Sequence, residues 1–462
     1  MRSESNALVV QRWIDISLLL IIFLAPFAVG SGGNVSFFCL STFLINGLLF
    51  ITGIYLANSK YTISMELIYW VFMFFFMYFA PVVQYITDVY PWKAYVSEQE
   101  AMYANILILV FNVIFMLSCW GARRIKFVGV SNYNFTGWLC GGLQFKKRSR
   151  IVLTLIVVIA ALYSVSKTGI SGIVVSRLEA TQVFYSGSSS AVELIVESLI
   201  PAFMAYVVAE SAQNFITKKE NAVRFIVLFV CLLVCFFPTV IPRYKVAVIY
   251  GVIFITIFPW INKGSRFLWI FIFGLFFVFP LMHAIRNVIS FENIQNLIGR
   301  EFLESYTDGN YDAWRMLVSA IRYNELQGIT YGRQLLGVLL FFLPSSIWSS
   351  KPIGSGAFLI KTELGNDAFS NVSCPFIAEG YLNFGIVGIV VFAVVIGLVI
   401  TKLDEKYWAN MGSGDRKCSF SPYLFLVFML FFMLRGDLLS GFAYVCGFVV
   451  TGFLLKPFAK KT

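Results

Sequence analysis

The chain has 462 residues, 59% of them apolar and 13% charged, with 35 Lys and Arg against 24 Asp and Glu. The apolar residues are gathered into blocks long enough to cross a hydrocarbon layer, which excludes an ordinary soluble enzyme. The basic excess falls mostly in short clusters between those blocks, a topology signal and not a nucleic-acid surface.

In chain order, the apolar stretches predict twelve spans near 12–30, 36–57, 66–87, 102–120, 151–166, 191–212, 223–240, 242–261, 267–285, 376–401, 421–434 and 438–456. The first follows two arginines and lacks a clear small-residue cleavage site, so it reads as an uncleaved helix. A cytoplasmic N-terminus puts Arg123, Arg124, Lys126, Lys146, Lys147, Arg148 and Arg150 inside, then Lys218, Lys219, Lys263, Arg266, Lys402, Lys406, Arg416 and Lys417. That bias predicts cytoplasmic N- and C-termini in a bacterial inner membrane. The expected fold class is an all-α polytopic membrane protein: spans one to nine in 1–285, a large periplasmic loop in 286–375, and the last three spans with a cytoplasmic tail in 376–462. The eight cysteines are scattered, many within apolar stretches such as those of Cys231 and Cys235, so no disulfide framework is expected.

Within the loop, residues 307–324 place Tyr311, Trp314, Leu317 and Ile321 on one helical face and Asp308, Asp312, Arg315, Ser319 and Arg322 on the other. This predicts a helix lying on the membrane or on the bundle. Residues 332–352 hold an apolar run too short to span, broken by Pro344 and followed by Trp348, and predict a re-entrant or interfacial piece.

Cations expected at the outer membrane face are the most informative residues, because holding them near hydrocarbon is costly. They are Arg243 and Lys245 at the start of the eighth span, Arg286 closing the ninth, Arg177 after the fifth, and Arg435 in the LRGD turn. Guanidinium forks at one depth suit a lipid diphosphate. Snorkelling to headgroups or pairing with local carboxylates remains open for each, and Arg435 has Asp437 beside it. Proton acceptors are fewer. The chain's single histidine, His283, lies one turn before Arg286, and Glu379 opens the tenth span with Asn383 one turn further on. A structural histidine and a carboxylate paired to an arginine are the alternatives for these two. No Walker-type loop, dinucleotide fingerprint, HExxH or Cys/His zinc spacing occurs, so no metal and no cofactor is expected.

The segments YGRQLLGVLLFFLPSSIWSSKP at 331–352 and PFIAEGYLNFGIVG from Pro375, with RYK at 243–245 and LRGD at 434–437 as weaker echoes, resemble the Wzy-type O-antigen polymerases. The resemblance implies the membrane-embedded C-type glycosyltransferase fold and transfer of a growing glycan from undecaprenyl diphosphate to a new lipid-linked repeat unit. It implies Arg243, Lys245, Arg286, Arg177 and Arg435 as diphosphate ligands, with Arg243 also stabilising the leaving group. Glu379 or His283 would be the base, and Tyr331, Arg333, Trp348, Lys351, Tyr381, Asn383 and Asp312 would hold glycan. Implied partners are undecaprenyl-diphosphate-linked oligosaccharides, membrane lipids, a chain-length regulator and a flippase, with no nucleic acid. An O-antigen ligase and a lipid-linked oligosaccharide flippase are the rival readings. Outer-face arginines beside one large loop favour catalysis over transport, for which charges on both sides of the midplane and two related halves are expected.

Overall fold

A computed structural model describes residues 2–29, 32, 35–125, 134–168, 190–238, 240–280, 305–365, 372–412 and 420–460. Among them the chain is helical, and the only strand-like feature is an isolated bridge between Phe145 and Ala459. Besides a six-residue helix at Asn134–Leu139, the helices are α1 (Arg2–Leu24), α2 (Phe37–Lys60), α3 (Met65–Thr87), α4 (Glu98–Arg124), α5 (Lys147–Thr168), α6 (Ser190–Ile216), α7 (Ala222–Cys235), α8 (Arg243–Ile257) and α9 (Arg266–Val278). After them come α10 (Ala313–Gln327), α11 (Arg333–Leu339), α12 (Ser355–Leu364), α13 (Phe376–Gly412), α14 (Tyr423–Arg435) and α15 (Leu438–Leu455).

Each of the twelve expected spans overlaps a helix, but among the described residues eight helices are long and apolar enough to cross a membrane. α7, α8 and α14, at 13 to 15 residues, fall short of the roughly 20 that a hydrocarbon core requires, and α9 is described only as far as residue 280.

The eight candidate spans divide by what surrounds them. In α3 the apolar window is 100% buried, making it the central post, whereas in α1 and α5 only 22% is buried. Ile21 and Leu24 on α1, and Leu155, Ile159 and Leu162 on α5, lie exposed, as helices facing lipid require. α3 is pinned at both ends. At its start Asp404 accepts the Met65 and Glu66 amides at 2.9 and 3.1 Å and the Tyr423 hydroxyl. Near its end Gln84 Nε2 donates to the Tyr306 and Tyr311 carbonyls at 2.8 and 3.0 Å.

These contacts define two ends of the bundle. The Asp404 end carries the Arg123–Glu66 pair. Arg150 and Arg224 are laced to Glu210 and Glu220, and backbone pairing joins Lys146 to Phe458 and Lys460 to Gln144. The Gln84 end gathers the starts of α8, α13 and α15, the end of α14, and the loop helices.

α10 lies deeper than the expected helix resting on the membrane or on the bundle. It is sunk into the bundle on both sides, with Trp314 donating to Asn105 Oδ1 at 3.0 Å and Asp312, Arg315 and Ser319 all buried. Its two arginines turn inward because each has a partner. Arg315 meets Glu363 Oε1 at 2.6 Å, Ser319 donates to Glu363 Oε2 at 2.7 Å, and Arg322 bridges Glu363 and Glu100. A helix with both faces satisfied looks amphipathic in sequence yet lies on no interface.

α13 also departs from expectation. It breaks at Gly385, whose φ of 59° and ψ of −138° lie where glycine alone is unstrained. The short arm, 376–384, folds against the long one so closely that a Cβ on Gly388 would stand 1.8 Å from the Gly380 carbonyl oxygen. Glu379 and Asn383 therefore ride on a short helix ahead of the long arm.

Candidate functional site

The site is built around the turn Gly309–Tyr311, just before α10. Arg243, the first residue of α8, donates through Nη2 to Asn310 Oδ1 at 2.5 Å and through Nη1 to the Phe279 carbonyl at 3.2 Å, and lies over the Phe279 ring. Arg435, the last residue of α14, donates to the Gly309 carbonyl at 3.4 Å and stands 3.7 Å from Asp312. Both guanidinium groups act on the buried Tyr311 phenol: burial drives its pKa up and the two arginines pull it back. Two cations from separate helices thus converge on three consecutive residues.

Their placement differs in cost. Arg435 ends its helix, where the macrodipole favours a cation, whereas Arg243 and Lys245 open α8, where it opposes one by about 0.3–1 kcal/mol. Arg435 is loosely held. Its Nε and the Oδ1 of Asp312 are both buried without a hydrogen bond. Asp312 is fully enclosed and spends Oδ2 on the Trp92 indole at 3.1 Å and the Ser373 amide at 3.2 Å. Sequence proximity suggested that Arg435 would pair with Asp437; the structure turns it to Asp312 instead, 123 positions earlier in the chain.

Asp437 has another task. It caps α15, accepting the Leu439 amide at 3.0 Å, and faces the Ser355 amide at the start of α12. Ser355 also donates its hydroxyl to Glu379 Oε2 at 2.9 Å, and the Leu438 amide donates to Oε1 at 3.2 Å. Glu379 is enclosed and held by these groups, so neither partial burial nor an arginine partner describes it. Gly354 makes the cluster possible: a Cβ there would stand 1.8 Å from Asp437 Oδ2.

The remaining expected residues are spread out. Lys245 is buried with its ammonium over the Tyr444 ring. Asn383 is a brace, donating to the Glu379 carbonyl and accepting the Leu335 amide at 3.2 Å and the Thr330 hydroxyl at 3.1 Å. Tyr381 meets the Tyr103 hydroxyl at 3.2 Å. Lys351 donates to the Phe341 and Leu343 carbonyls at 2.7 and 2.8 Å, and Arg333 and Trp348 both reach Ser350. Tyr331 is 84% exposed and touches none of the cluster. His283, Arg286 and Arg177 lie outside the described residues. Among the described residues no group of three or more His, Cys, Asp or Glu could hold a metal ion.

Sequence reading missed Ser355, Asn310, Trp92 and the role of Asp437. Only Asp437 carried a local signal, an Asp directly ahead of an apolar helix, which is a helix-cap pattern.

Residues 372–460 match the family model described as O-antigen polysaccharide polymerase Wzy, so the resemblance read from the sequence is borne out over that stretch. The match contains Glu379, Arg435 and Asp437; Arg243, Asp312 and Ser355 lie outside it. No curated protein and no solved structure matches the chain.

Proposed function

We propose that this chain, whose C-terminal residues carry the pattern of the O-antigen polysaccharide polymerases, is a glycan polymerase that elongates lipid-linked repeat units. The growing glycan passes from undecaprenyl diphosphate to a hydroxyl of a new lipid-linked unit, and the lipid diphosphate leaves. The observation that carries this reading is the convergence of Arg243 and Arg435 on Gly309–Tyr311. Two guanidinium groups at one end of the bundle, one of them under-satisfied, match the phosphate oxygens on which negative charge develops as the glycosidic bond breaks. Arg286, Arg177 and Lys245 would add to this cation field. Tyr331, Arg333, Trp348, Lys351 and Tyr381 offer aromatic and hydrogen-bonding groups for sugars, and Asn383 and Asp312 serve the glycan by bracing that surface.

The matching topology has twelve crossings, with α7, α8 and α14 as short ones, both termini cytoplasmic and the Arg243 end periplasmic in a bacterial inner membrane. The basic clusters support this orientation, because the Lys146 and Lys460 segments pair through their backbones, Lys146 with Phe458 and Lys460 with Gln144, at the opposite end. A flippase and a chain-length regulator are the partners such a reaction implies.

Deleting the gene tests the reading. Surface lipopolysaccharide should then carry a single repeat unit per core. Loss of every repeat unit would assign the chain to ligation or flipping instead.

A further inference from the structure

The acceptor hydroxyl must lose a proton, and the fully enclosed Glu379 presents none of its carboxylate to a substrate. Of the other carboxylates described at this end, Asp312 is enclosed, Asp308 is exposed but heads the turn held by Arg243 and Arg435, on the diphosphate side, and Asp437 is partly exposed beside Ser355.

We infer that Asp437 is the general base of the transfer reaction, an assignment that rests on the polymerase reading above. Its support is geometric. In the turn Arg435–Gly436–Asp437 the cation is directed to Gly309 and Asp312, and the carboxylate to Gly354 and Ser355. A single displacement needs this division, because the leaving diphosphate and the attacking hydroxyl occupy different sides of the anomeric carbon. One turn between two helices thus supplies both poles of the reaction on rigid supports.

The step balances without a co-reactant. The acceptor oxygen forms a bond to the anomeric carbon, and the bond from that carbon to the phosphate oxygen breaks with its electron pair passing to the diphosphate. The hydroxyl proton passes to Asp437. Glu379 is then a positioning residue: through Ser355 and the Leu438 amide it fixes the start of α12 and the turn that carries the base.

Asp437→Asn tests this, because asparagine caps a helix as well as aspartate and preserves shape while removing the proton acceptor. Full-length protein in lipid nanodiscs is supplied with lipid-linked repeat unit extracted from a strain lacking this gene, and binding and chain growth are measured separately. Asp437→Asn should bind the lipid-linked unit as the unsubstituted protein does and elongate it about 100-fold or more slowly, the usual worth of a general base. Glu379→Gln should lose less than Asp437→Asn, and its pH profile should keep its shape. Elongation by Asp437→Asn at the unsubstituted rate, or a greater loss in Glu379→Gln, overturns the assignment. Failure of the unsubstituted protein to elongate would instead sink the polymerase reading. If Asp437→Asn does not fold, Asp437→Glu gives the readout: a displaced carboxylate must slow elongation without weakening binding, and equal rates contradict the proposal.

Discussion

Arg435 Nη2 stands 3.7 Å from Asp312 Oδ1, too far for a hydrogen bond, while Arg435 Nε and that same oxygen are buried without hydrogen-bond partners. Leaving buried polar groups unsatisfied costs about 1–3 kcal/mol each. For the Arg435 Nε, which can only donate, an anion would supply the missing acceptor. Arg435→Lys retains the charge but loses the planar fork, so elongation should fall at least about tenfold while the protein still inserts. An unaltered rate in reconstituted protein would mean that the fork contacts no phosphate.

Arg243 opens a helix against the macrodipole and is held by Asn310. Arg243→Ala should abolish chain growth with normal membrane insertion, and Asn310→Ala should reduce it less, because Phe279 still orients the guanidinium. Lipopolysaccharide ladders on gels report both. Normal-length polymer from Arg243→Ala would remove this residue from the diphosphate site.

Burial pushes the Asp437 carboxyl above the usual carboxylate range, and the Leu439 and Ser355 amides only partly offset that. Among the described residues, Glu379 of α13, Asp312 ahead of α10, the Cys374 thiol and Arg435 on its own turn are titratable or charged groups near it. Only the ionised form accepts a proton. Elongation should therefore fall as pH drops through this raised value, nearer neutrality than the ~4 of an ordinary Asp. A rate constant down to pH 4.5, measured under saturating substrate, would contradict this.

Glu363 ties α12 to α10 by holding Arg315 and Arg322. Burial works to raise its pKa, but Arg315 first, then Ser319 and Arg322, bring it below the usual value. A depressed pKa contributes stability above the unfolded value of about 4.3, and that contribution is lost as pH falls through the folded value. Glu363→Gln leaves the fully enclosed Arg315 without its counter-charge, a loss on the order of 3–5 kcal/mol. Proteolysis of the 305–365 region should accelerate in this variant relative to the transmembrane helices; equal protection would mean that the loop is held elsewhere.

Gly354 approaches Asp437 so closely that a methyl group cannot be accommodated. Gly354→Ala should displace the start of α12 and depress elongation more than Gly365→Ala at the other end of that helix, where the Cβ would meet nothing. Gly365 has a positive φ of 65°, so its own variant carries backbone strain and makes the comparison stringent.

The membrane architecture was legible because it is written in long apolar blocks, and each predicted span fell on helix. Their lengths were not: α7, α8 and α14 hold only 13 to 15 residues, and hydropathy does not mark where a helix ends. α10 misled for a different reason. Its polar face reads as solvated, and only partners distant in sequence, Glu100 and Glu363, make it internal. Arg243 and Arg435 were visible as cations against apolar helices, but their convergence on one turn depends on residues 309–310, which carry no motif. Asp437 was read as the neighbour of Arg435 because sequence adjacency hides the direction in which each side chain turns.

Reconstitution addresses the polymerase claim most directly. Full-length protein in lipid nanodiscs, given lipid-linked repeat unit alone, should release lipid diphosphate and build a ladder of multiples of that unit, and Arg243→Ala with Arg435→Ala should build none. Unextended repeat unit, with transfer appearing only when lipid A-core is added, would contradict polymerisation and assign the chain to ligation.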